Sequence, residues 1–489
     1  MKLLADNKQV TRRQFLAVAG ATLAAPLQRP RRPNILFLMP DQLRAQALGY
    51  LGNPDVRTPH LDRLAADSIV FQNAFANSPV CCPARANILT GRYAHRNGMV
   101  ANDLRLRESE TTLAERLGEA GYRTGFIGKW HLDGGPRLPG YVPPGPRRQG
   151  FQFWAANECN HRHFNTQYFR DTAEPIPIRT FEVEAWTDIG IEFLRQSAGD
   201  RRPFFLTIQM GPPHDPYKAP PEYSKLYDPG RLAMRPNWQP RPGAPGPKEI
   251  AEYYAMVTAI DDQVGRILRA LDELGLAEDT ILLFSSDHGD MLGSQGQRLK
   301  RKPWEESVRV PGLLRYPRKI RAGRRADFFF THVDFAPTLL GLCGLRPSVG
   351  MQGLNLSRLV LGEKGGGPDS AFFQIFGPYE GDGTEDGWRG VRTRRYMYAR
   401  FESRPWVLYD LERDPHEMHN LVGDRAARPL LEEMDRRLAG WMARTGDSWR
   451  YNWKAAVEDR GRLYRHQAFY TVEEYLAWAS QHPELEPRD

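Results

Sequence analysis

The sequence contains few cysteines and no long hydrophobic run, and each absence excludes a class of protein. Its 489 residues include only four cysteines, which is too few for a fold held together by disulfide bonds. The apolar run at residues 15–27 is shorter than the ~20 residues that a membrane-spanning helix needs. There is no dense block of lysine and arginine, although the net charge is +8, so nothing indicates a nucleic-acid partner.

The overall composition is that of a globular protein. Hydrophobic residues make up 41% and charged residues 26% of the chain, which excludes wholesale disorder, collagen and coiled coil. The length allows about three small domains or one large α/β unit. No internal repeat or other feature of the sequence specifies an oligomeric state.

The first 28 residues have the pattern of an export signal, and we predict that they lie outside the fold. Thr11-Arg12-Arg13-Gln14-Phe15-Leu16 precedes a run of small apolar residues, which resembles a twin-arginine signal peptide. This pattern predicts export by the twin-arginine translocase and a periplasmic or secreted mature protein. An amphipathic anchor or a membrane span is the alternative, and the short apolar run disfavours it.

Apolar runs of strand length alternate with helical patterns over the first three quarters of the chain. Four such runs, each ending in polar residues, lie at 34–39, 124–127, 204–210 and 280–284. Between them, apolar residues at helical spacing mark 113–120, 183–196 and 250–274. This alternation predicts an α/β fold with a large, mostly parallel or mixed sheet that is flanked by helices.

Each of the four runs leads into a segment with charged or imidazole side chains. In chain order these segments contain Asp41, then Lys129 and His131, then His214, then Asp287. In parallel α/β sheets, ligands bind beyond the carboxyl ends of the strands. We therefore expect these side chains to form a single site.

The pattern changes after the glycine-rich segment 362–368. Four short, aromatic-rich runs at 371–376, 388–394, 396–401 and 406–411 predict an antiparallel meander, and 428–444 predicts an amphipathic helix. We accordingly expect a catalytic domain at 33–365 and a smaller antiparallel α+β subdomain at 366–489.

The sharpest local motif is Cys81-Cys82-Pro83-Ala84-Arg85, followed by Leu89-Thr90-Gly91. Pro83 suits the first turn of a helix and Gly91 suits its end. Cys81 is therefore expected just ahead of a helix N-terminus, which is a favourable place for an anion. The alternative is a structural pair of cysteines at a turn. That alternative does not explain why Arg85 and the helix-ending Gly91 follow at these positions.

These residues resemble the signature of the sulfatase family, C-x-P-[S/A]-R followed by L-T-G, whose cysteine is converted to formylglycine. The resemblance extends from about residue 34 to 421 and includes the segments 128–132, 214–217, 286–289 and 305–311. It implies the alkaline-phosphatase-like fold and hydrolysis of sulfate esters. It also implies that a formylglycine-generating enzyme acts on Cys81 and not on Cys82.

The resemblance further implies one divalent metal ion, with five ligand residues: Asp41, Gln42, Cys81, Asp287 and His288. Hard oxygen ligands favour calcium, the expected ion, or magnesium, and the imidazole admits manganese. Many sulfatases have a second aspartate in place of Gln42 and an asparagine in place of His288. The version in this chain resembles choline sulfatases, phosphonate monoester hydrolases and some carbohydrate sulfatases. Helix capping by each aspartate is the alternative interpretation.

Five cationic side chains are implied to surround the sulfate group: Arg85, Lys129, His131, His214 and Lys300. Fixed cations stabilise the charge that develops on the sulfate oxygens and on the leaving oxygen in the transition state. Lys129, His214 and Lys300 are expected to bind the substrate. Lys302 is the alternative to Lys300 for this role. Trp304 stands where the family has an aromatic residue before Glu305, and the resemblance places the lysine four residues earlier, at Lys300.

The mechanism implied by the resemblance is covalent. Hydrated formylglycine attacks sulfur, His214 or Lys300 protonates the leaving oxygen, and His131 then removes a proton so that sulfate departs. The expected substrates are sulfated saccharides or small organic sulfates. Two alternatives stay open: a phosphonate monoester or phosphodiester hydrolase of the same superfamily, and a non-catalytic relative that binds a glycan or an anion.

Cys159, His161 and His163 form a further group of potential metal ligands. C-x-H-x-H is not a usual zinc spacing, so a loop at the rim of the substrate site, or plain loop structure, is favoured over a zinc site. Cys343 ends an apolar helical pattern and is expected to be buried by packing.

Overall fold

The structure, a computed structural model, describes residues 32–134, 140–376 and 387–449. The predicted export signal at 1–28 and the part of the predicted C-terminal subdomain from residue 450 onward lie outside the described residues. Within the described ranges, no helix is both long enough and apolar enough to cross a membrane.

The strands and helices of the described residues are numbered here in chain order. The strands are β1 Asn34–Pro40, β2 Ile69–Phe75, β3 Arg123–Lys129, β4 Phe153–Asn157, β5 Thr166–Tyr168, β6 Ile176–Ile178, β7 Phe204–Met210, β8 Thr280–Phe284, β9 Leu313–Arg315, β10 Arg324–Thr331, β11 Ser370–Ile375, β12 Trp388–Thr393, β13 Tyr396–Phe401 and β14 Pro405–Asp410. The α-helices are α1 Pro59–Ala66, α2 Cys81–Thr90, α3 Ala94–Asn97, α4 Leu113–Glu119, α5 Glu182–Ala198, α6 Pro221–Ser224, α7 Pro247–Glu273, α8 Glu305–Val308, α9 His332–Leu342, α10 Ser357–Val360 and α11 Arg428–Thr445.

The central sheet has eight strands in the order β10-β2-β9-β8-β1-β7-β3-β4. Strand β9 pairs antiparallel with both of its neighbours, and every other pair in this sheet is parallel. The predicted mixed α/β sheet is therefore confirmed. The four strands predicted from the sequence are β1, β3, β7 and β8, whereas β2, β4, β9 and β10 were missed, since β9 is short and β2 contains polar residues in its middle.

Alternate residues of β1 pack into two different hydrophobic cores. Ile35, Phe37 and Met39 belong to the core that includes residues of α2, α4 and α9. Leu36 and Leu38 belong to the core that includes residues of α1, α5 and α7. A strand that is buried on both faces has a continuous run of apolar residues. For this reason β1 could be predicted from the sequence.

The C-terminal part of the described chain forms the predicted antiparallel meander, β11-β12-β13-β14. Phe372, Val391 and Tyr398 of this sheet are buried in one cluster with Met434 and Leu438 of α11. The division into domains at residue 365 stays a prediction.

The order of the strands explains where a site can form. Strands β8, β1, β7 and β3 are consecutive neighbours in the sheet and run in the same direction. Neighbouring strands lie about 4.8 Å apart, so the segments that follow these four strands emerge side by side at one edge. These are the four segments that the sequence analysis singled out.

Candidate active site

Cys81 lies at the start of α2, buried beside the ends of β1 and β8. The helix begins at Cys81 itself, one residue earlier than predicted, a difference that is within the usual spread of helix boundaries. It ends as predicted at Gly91, whose left-handed backbone has a φ of 63°. The Sγ atom of Cys81 is 3.2 Å from Nε2 of His288 and 4.0 Å from Oδ1 of Asp41.

The two adjacent cysteines have different environments. Burial acts to raise the pKa of the Cys81 thiol, but the Lys300 and Lys129 cations outweigh it and hold that pKa well below its ordinary value. For Cys82, burial dominates and raises the pKa to about 11. The backbone N–H of Cys82 donates to Oδ1 of Asn102 at 2.9 Å, and its Sγ accepts a hydrogen bond from the backbone N–H of Asp103 at 3.4 Å.

Four side chains bring potential metal ligands together: Asp41, Cys81, Asp287 and His288. Their ligand atoms all lie within 4.8 Å of one another, and all four residues are buried. Nε2 of His288 is 3.7 Å from Oδ1 of both aspartates. Its Nδ1 is 3.0 Å from the Gly289 carbonyl, which can only accept, so Nδ1 is the donor and the lone pair of Nε2 faces the other ligands. This donor set suits a divalent cation.

Gln42 reaches the same region through its backbone and its side chain. Its backbone N–H donates to Oδ1 of Asp287 at 3.0 Å, in a left-handed conformation with a φ of 67°. Its side-chain Nε2 donates to Asp290 at 2.6 Å, and its Oε1 accepts from Nζ of Lys300 at 2.6 Å. The prediction that Gln42 is a metal ligand stays a prediction.

Arg85 donates hydrogen bonds to the carboxylates of both Asp41 and Asp287. Its Nη2 donates to Oδ2 of Asp41 at 3.0 Å and to Oδ2 of Asp287 at 3.1 Å. Its Nη1 donates to the Lys129 carbonyl at 2.8 Å and to Oε1 of Gln209 at 2.6 Å. The buried Arg85 side chain thus holds the carboxylates of both aspartates in a fixed orientation.

Lys129 ends β3, on the other side of β7 from β1, and His131 lies two residues further along the chain. Nζ of Lys129 donates to Oδ2 of Asp41 at 2.7 Å. Burial and Cys81 act to raise the pKa of Asp41, but Lys129 and the other nearby cations hold that pKa well below its ordinary value. Nε2 of His131 lies 3.3 Å from Oδ1 of Asp103.

The pKa of His131 is shifted by its neighbours. Burial acts to lower it, but the negative charge that Cys159 and Cys82 carry when they are thiolates, together with the hydrogen bond to the Asp103 carboxylate, raises it well above its ordinary value. These neighbours favour the imidazolium that forms when the His131 ring accepts a proton.

His214 and Lys300 contact each other next to Gln42. Nε2 of His214 is 2.7 Å from Nζ of Lys300, and its Nδ1 is 2.7 Å from the Asp215 carbonyl. Because that carbonyl accepts only, Nδ1 is the donor, and the lone pair of Nε2 accepts a hydrogen bond from the Lys300 ammonium group. Of the two candidate lysines, Lys300 is therefore the one whose ammonium group the structure brings to His214.

The C-x-H-x-H segment contacts the site without its three side chains converging on one point. Sγ of Cys159 is 3.8 Å from Nε2 of His161. The ring of His161 stacks on that of His214, with 4.3 Å between the centroids. His163 instead places its two ring nitrogens on Glu182 and on the His214 carbonyl. Cys343 is buried, as its sequence pattern predicts.

Three buried polar partners of the site were missed by the sequence analysis: Asp103, Gln209 and Asp290. Gln209 is a polar residue inside the otherwise apolar run of β7, and this signal could have identified it. Asp290 ends the polar segment after β8, close enough in sequence to Asp287 to be considered with it. Asp103 carries no sequence signal, since its contact with His131 depends on the path of the loop after α3.

Comparison with known proteins assigns the family. The sulfatase family matches residues 33–345, and the C-terminal region of N-sulphoglucosamine sulphohydrolase matches 293–444. An ulvan-active sulfatase of Formosa agariphila is 37% identical over 426 residues, covering 86% of this chain and 83% of that protein.

Two solved structures share the fold. One, in complex with its substrate D-glucosamine-2-N,6-O-disulfate, superposes with a TM-score of 0.76 at 25% identity, covering 85% of this chain and 99% of that chain. The other is the phosphonate monoester hydrolase of Agrobacterium radiobacter, with a TM-score of 0.71 at 25% identity, covering 85% and 96%. This chain belongs to the type I sulfatase family of the alkaline-phosphatase-like superfamily, and it is a sulfuric ester hydrolase.

Proposed function

We propose that this chain is an exported sulfatase that hydrolyses sulfate monoesters of carbohydrates, with a formylglycine made from Cys81 and one divalent metal ion. The observation that carries the proposal is the position of Cys81. Its Sγ lies 3.2 Å from Nε2 of His288 and 4.0 Å from Asp41, at the start of a buried helix. A reactive group at this position would have both the ligand set and the cationic side chains within reach.

Contacts within the protein orient the side chains that would bind the metal ion. A divalent ion bound by Asp41, Asp287 and His288 would supply the positive charge that acidifies a hydroxyl on residue 81. Arg85 occupies the Oδ2 atoms of both aspartates, while their Oδ1 atoms face His288. These contacts hold the ligand atoms in place before an ion binds.

Lys129 and Lys300 supply the charge that a sulfate ester needs. Both are buried, and both act on the pKa of the Cys81 thiol, so both lie close to the reacting position. Two ammonium groups held in a dry site neutralise the non-bridging oxygens without further reorganisation.

His214 and Lys300 form the proton donor for the leaving oxygen. The 2.7 Å contact between Nε2 of His214 and Nζ of Lys300 places a proton between two nitrogens, either of which can pass it on. His131, held by Asp103, is the proposed base that releases sulfate in the second half of the reaction.

The proposed substrate is a sulfated saccharide. The relative that acts on ulvan and the structure that holds a disulfated glucosamine both support this class. The test is the release of inorganic sulfate from a panel of sulfated mono- and oligosaccharides, choline sulfate and aryl sulfates. Turnover of a sulfated saccharide is expected to exceed that of the other two classes, and the reverse order would contradict the proposed substrate class.

A phosphonate monoester or phosphodiester hydrolase is the second candidate. The imidazole ligand His288 and the solved phosphonate monoester hydrolase with the same fold favour it. Side-by-side values of kcat/KM for an aryl sulfate and for aryl phosphonate and phosphate diester substrates decide between the two. A higher value for the phosphorus substrates would replace the sulfatase proposal.

Export is proposed from the sequence alone. Arg12-Arg13, followed by a weakly apolar segment, suits the twin-arginine route, which carries folded proteins. The formylglycine-generating enzyme would then have to act before export, on the cytoplasmic chain.

A further inference from the structure

The loop that carries His214 is held by a segment distant in sequence. This loop, 211–216, follows β7, and the segment 159–163, which contains the C-x-H-x-H group, follows β4. The two contact each other at the backbone of His214 and at its ring. The reaction outlined above uses none of the side chains of the second segment.

His163 makes one hydrogen bond to this loop and one away from it. Its Nε2 lies 2.7 Å from the carbonyl oxygen of His214 and its Nδ1 lies 3.0 Å from Oε1 of Glu182. A carbonyl oxygen only accepts, so Nε2 is the donor to His214. The side chains of His163 and Glu182 are 2% and 3% exposed, which means that water does not compete for these contacts.

Glu182 anchors His163 to helix α5. It is the first residue of α5, where the helix dipole favours a carboxylate, and its Oε2 accepts from Nε1 of Trp186 at 3.3 Å. Its backbone N–H donates to the His163 carbonyl at 2.9 Å. A methyl group added at Gly211 would lie 2.2 Å from Oε1 of Glu182, so the carboxylate also rests directly against the start of the loop.

The ring of His214 is held as well. His161 stacks on it at a centroid distance of 4.3 Å and an interplanar angle of 30°. The loop is therefore fixed at its first residue by Glu182, at the His214 carbonyl by His163, and at the His214 ring by His161.

We propose that His163, anchored by Glu182, is a positioning residue that sets the place of His214 and thereby of the His214–Lys300 proton donor. This inference rests on the proposed role of that pair in protonating the leaving oxygen. Without the bond from His163, the loop loses the hydrogen bond at the backbone of His214, and the stacked ring of His161 is the contact that this segment keeps with that residue. The distance from the donor to the leaving oxygen then varies, whereas the metal site and Arg85, on other elements, keep their geometry.

The chemical consequence depends on the leaving group. A sugar alkoxide leaves poorly and needs a proton in the transition state, whereas 4-nitrophenolate leaves well without one. Loss of positioning should therefore lower the rate on a sulfated saccharide much more than the rate on 4-nitrophenyl sulfate. A general loss of folded protein would lower both rates equally.

The test compares two substitutions of His163 in the full, matured enzyme. His163→Leu removes both hydrogen bonds and is expected to lower kcat on the sulfated saccharide about 100-fold. KM should change by no more than about threefold, because Lys129 and Lys300 still bind the sulfate. His163→Gln keeps a donor near the position of Nε2 and is expected to recover most of kcat. Glu182→Ala should lower kcat in the same way as His163→Leu.

His95→Leu is the matched control. Like His163, His95 contacts a backbone carbonyl, that of Thr445 at 2.9 Å, but its second partner is the side-chain amide of Gln374, and both partners belong to the C-terminal region. Its substitution should lower thermal stability to a similar extent without a change in kcat.

Three outcomes would overturn the proposal: unchanged kcat in His163→Leu, equal impairment of His163→Leu and His163→Gln, or equal losses on both leaving groups. If His163→Leu does not fold, the comparison of His163→Gln with Glu182→Ala decides, and equal kcat values for these two contradict the proposal. Failure of the proposed function is distinguishable, since the unsubstituted enzyme would then release no sulfate from any substrate.

Discussion

Sγ of Cys81 lies 3.2 Å from Nε2 of His288, whereas Cys82, the next residue, is held by Asn102. The two thiols are adjacent in sequence, yet only the first faces the ligand set. The position of the helix start at Cys81 produces this difference, because successive side chains of a helix point about 100° apart. This difference allows a direct test of which cysteine is needed for turnover.

Cys81→Ala is expected to abolish turnover, while Cys82→Ser keeps much of it. Peptide mass mapping of active protein should find formylglycine at residue 81 and an unmodified cysteine at residue 82. Circular dichroism should show that Cys81→Ala folds, since the substitution removes one small buried atom. An unmodified thiol at Cys81 in active enzyme would refute the nucleophile assignment.

Asp41→Asn and Asp287→Asn are expected to remove bound metal and to lower kcat by about 1000-fold, because each carboxylate supplies an anionic ligand to the site. Metal content by elemental analysis and the rate after reconstitution are the measurements. Asp334→Asn, at a buried aspartate that caps α9, is the control that should keep both metal and activity. Full activity of Asp41→Asn after chelation would show that the metal site is elsewhere.

Gln42→Asp is expected to shift the ion preference toward calcium. The substitution adds a carboxylate beside Asp41, and hard cations favour anionic oxygen ligands. It also breaks the contacts of the Gln42 side chain with Lys300 and Asp290, so the absolute rate should fall. Rates across calcium, magnesium and manganese test this, and an unchanged order of the three ions would contradict it.

Lys300→Met is expected to lower kcat about 100-fold, because it removes a cation that contacts both His214 and Gln42. Lys302→Met, the matched control at the competing position, should keep most of kcat. Steady-state rates on the same substrate compare the two. The opposite pattern would assign the role to Lys302.

The stability of the fold should depend on pH through Asp261. Burial raises its pKa to about 7 from 3.8, although it accepts two backbone hydrogen bonds from the start of α1. The folded state therefore binds this proton more tightly than the unfolded state does. The resulting stabilisation is complete below pH 3.8 and is lost as the pH rises through about 7. Between pH 5 and 8 the free energy of unfolding should fall by about 1 to 3 kcal/mol through this group.

Chemical denaturation at several pH values measures this loss. Asp261→Asn cannot ionise and should show a smaller fall over the same range. An equal fall in both proteins would mean that other groups cause it.

Replacing both Arg12 and Arg13 with lysine is expected to trap active enzyme in the cytoplasm, because the twin-arginine route requires this pair. Sulfatase activity in periplasmic and cytoplasmic fractions is the measurement. Replacing Lys2 and Lys8 with arginine is a control that keeps the charge and the motif. Unchanged secretion of the Arg12/Arg13 variant would contradict the proposed route.

Sequence patterns alone predict the strands β1, β3, β7 and β8, the helices α4, α5, α7 and α11, and the C-terminal meander. These elements are long or strongly patterned, and their apolar spacing follows from burial on one face or on both. The sequence also contained the motif around Cys81 and the polar segments that follow the four strands, since such segments are local.

The contacts between these segments could be seen only in the folded chain. The order β8-β1-β7-β3 brings Gln42 to Asp287 across 245 residues of sequence, and no local pattern encodes such a pairing. The contacts of Arg85 with Gln209, of His131 with Asp103, and of His163 with the His214 carbonyl arise in the same way. The physical reason is that periodicity reports whether a side chain is buried, whereas the path of the connecting helices and loops decides which other side chain it is buried against.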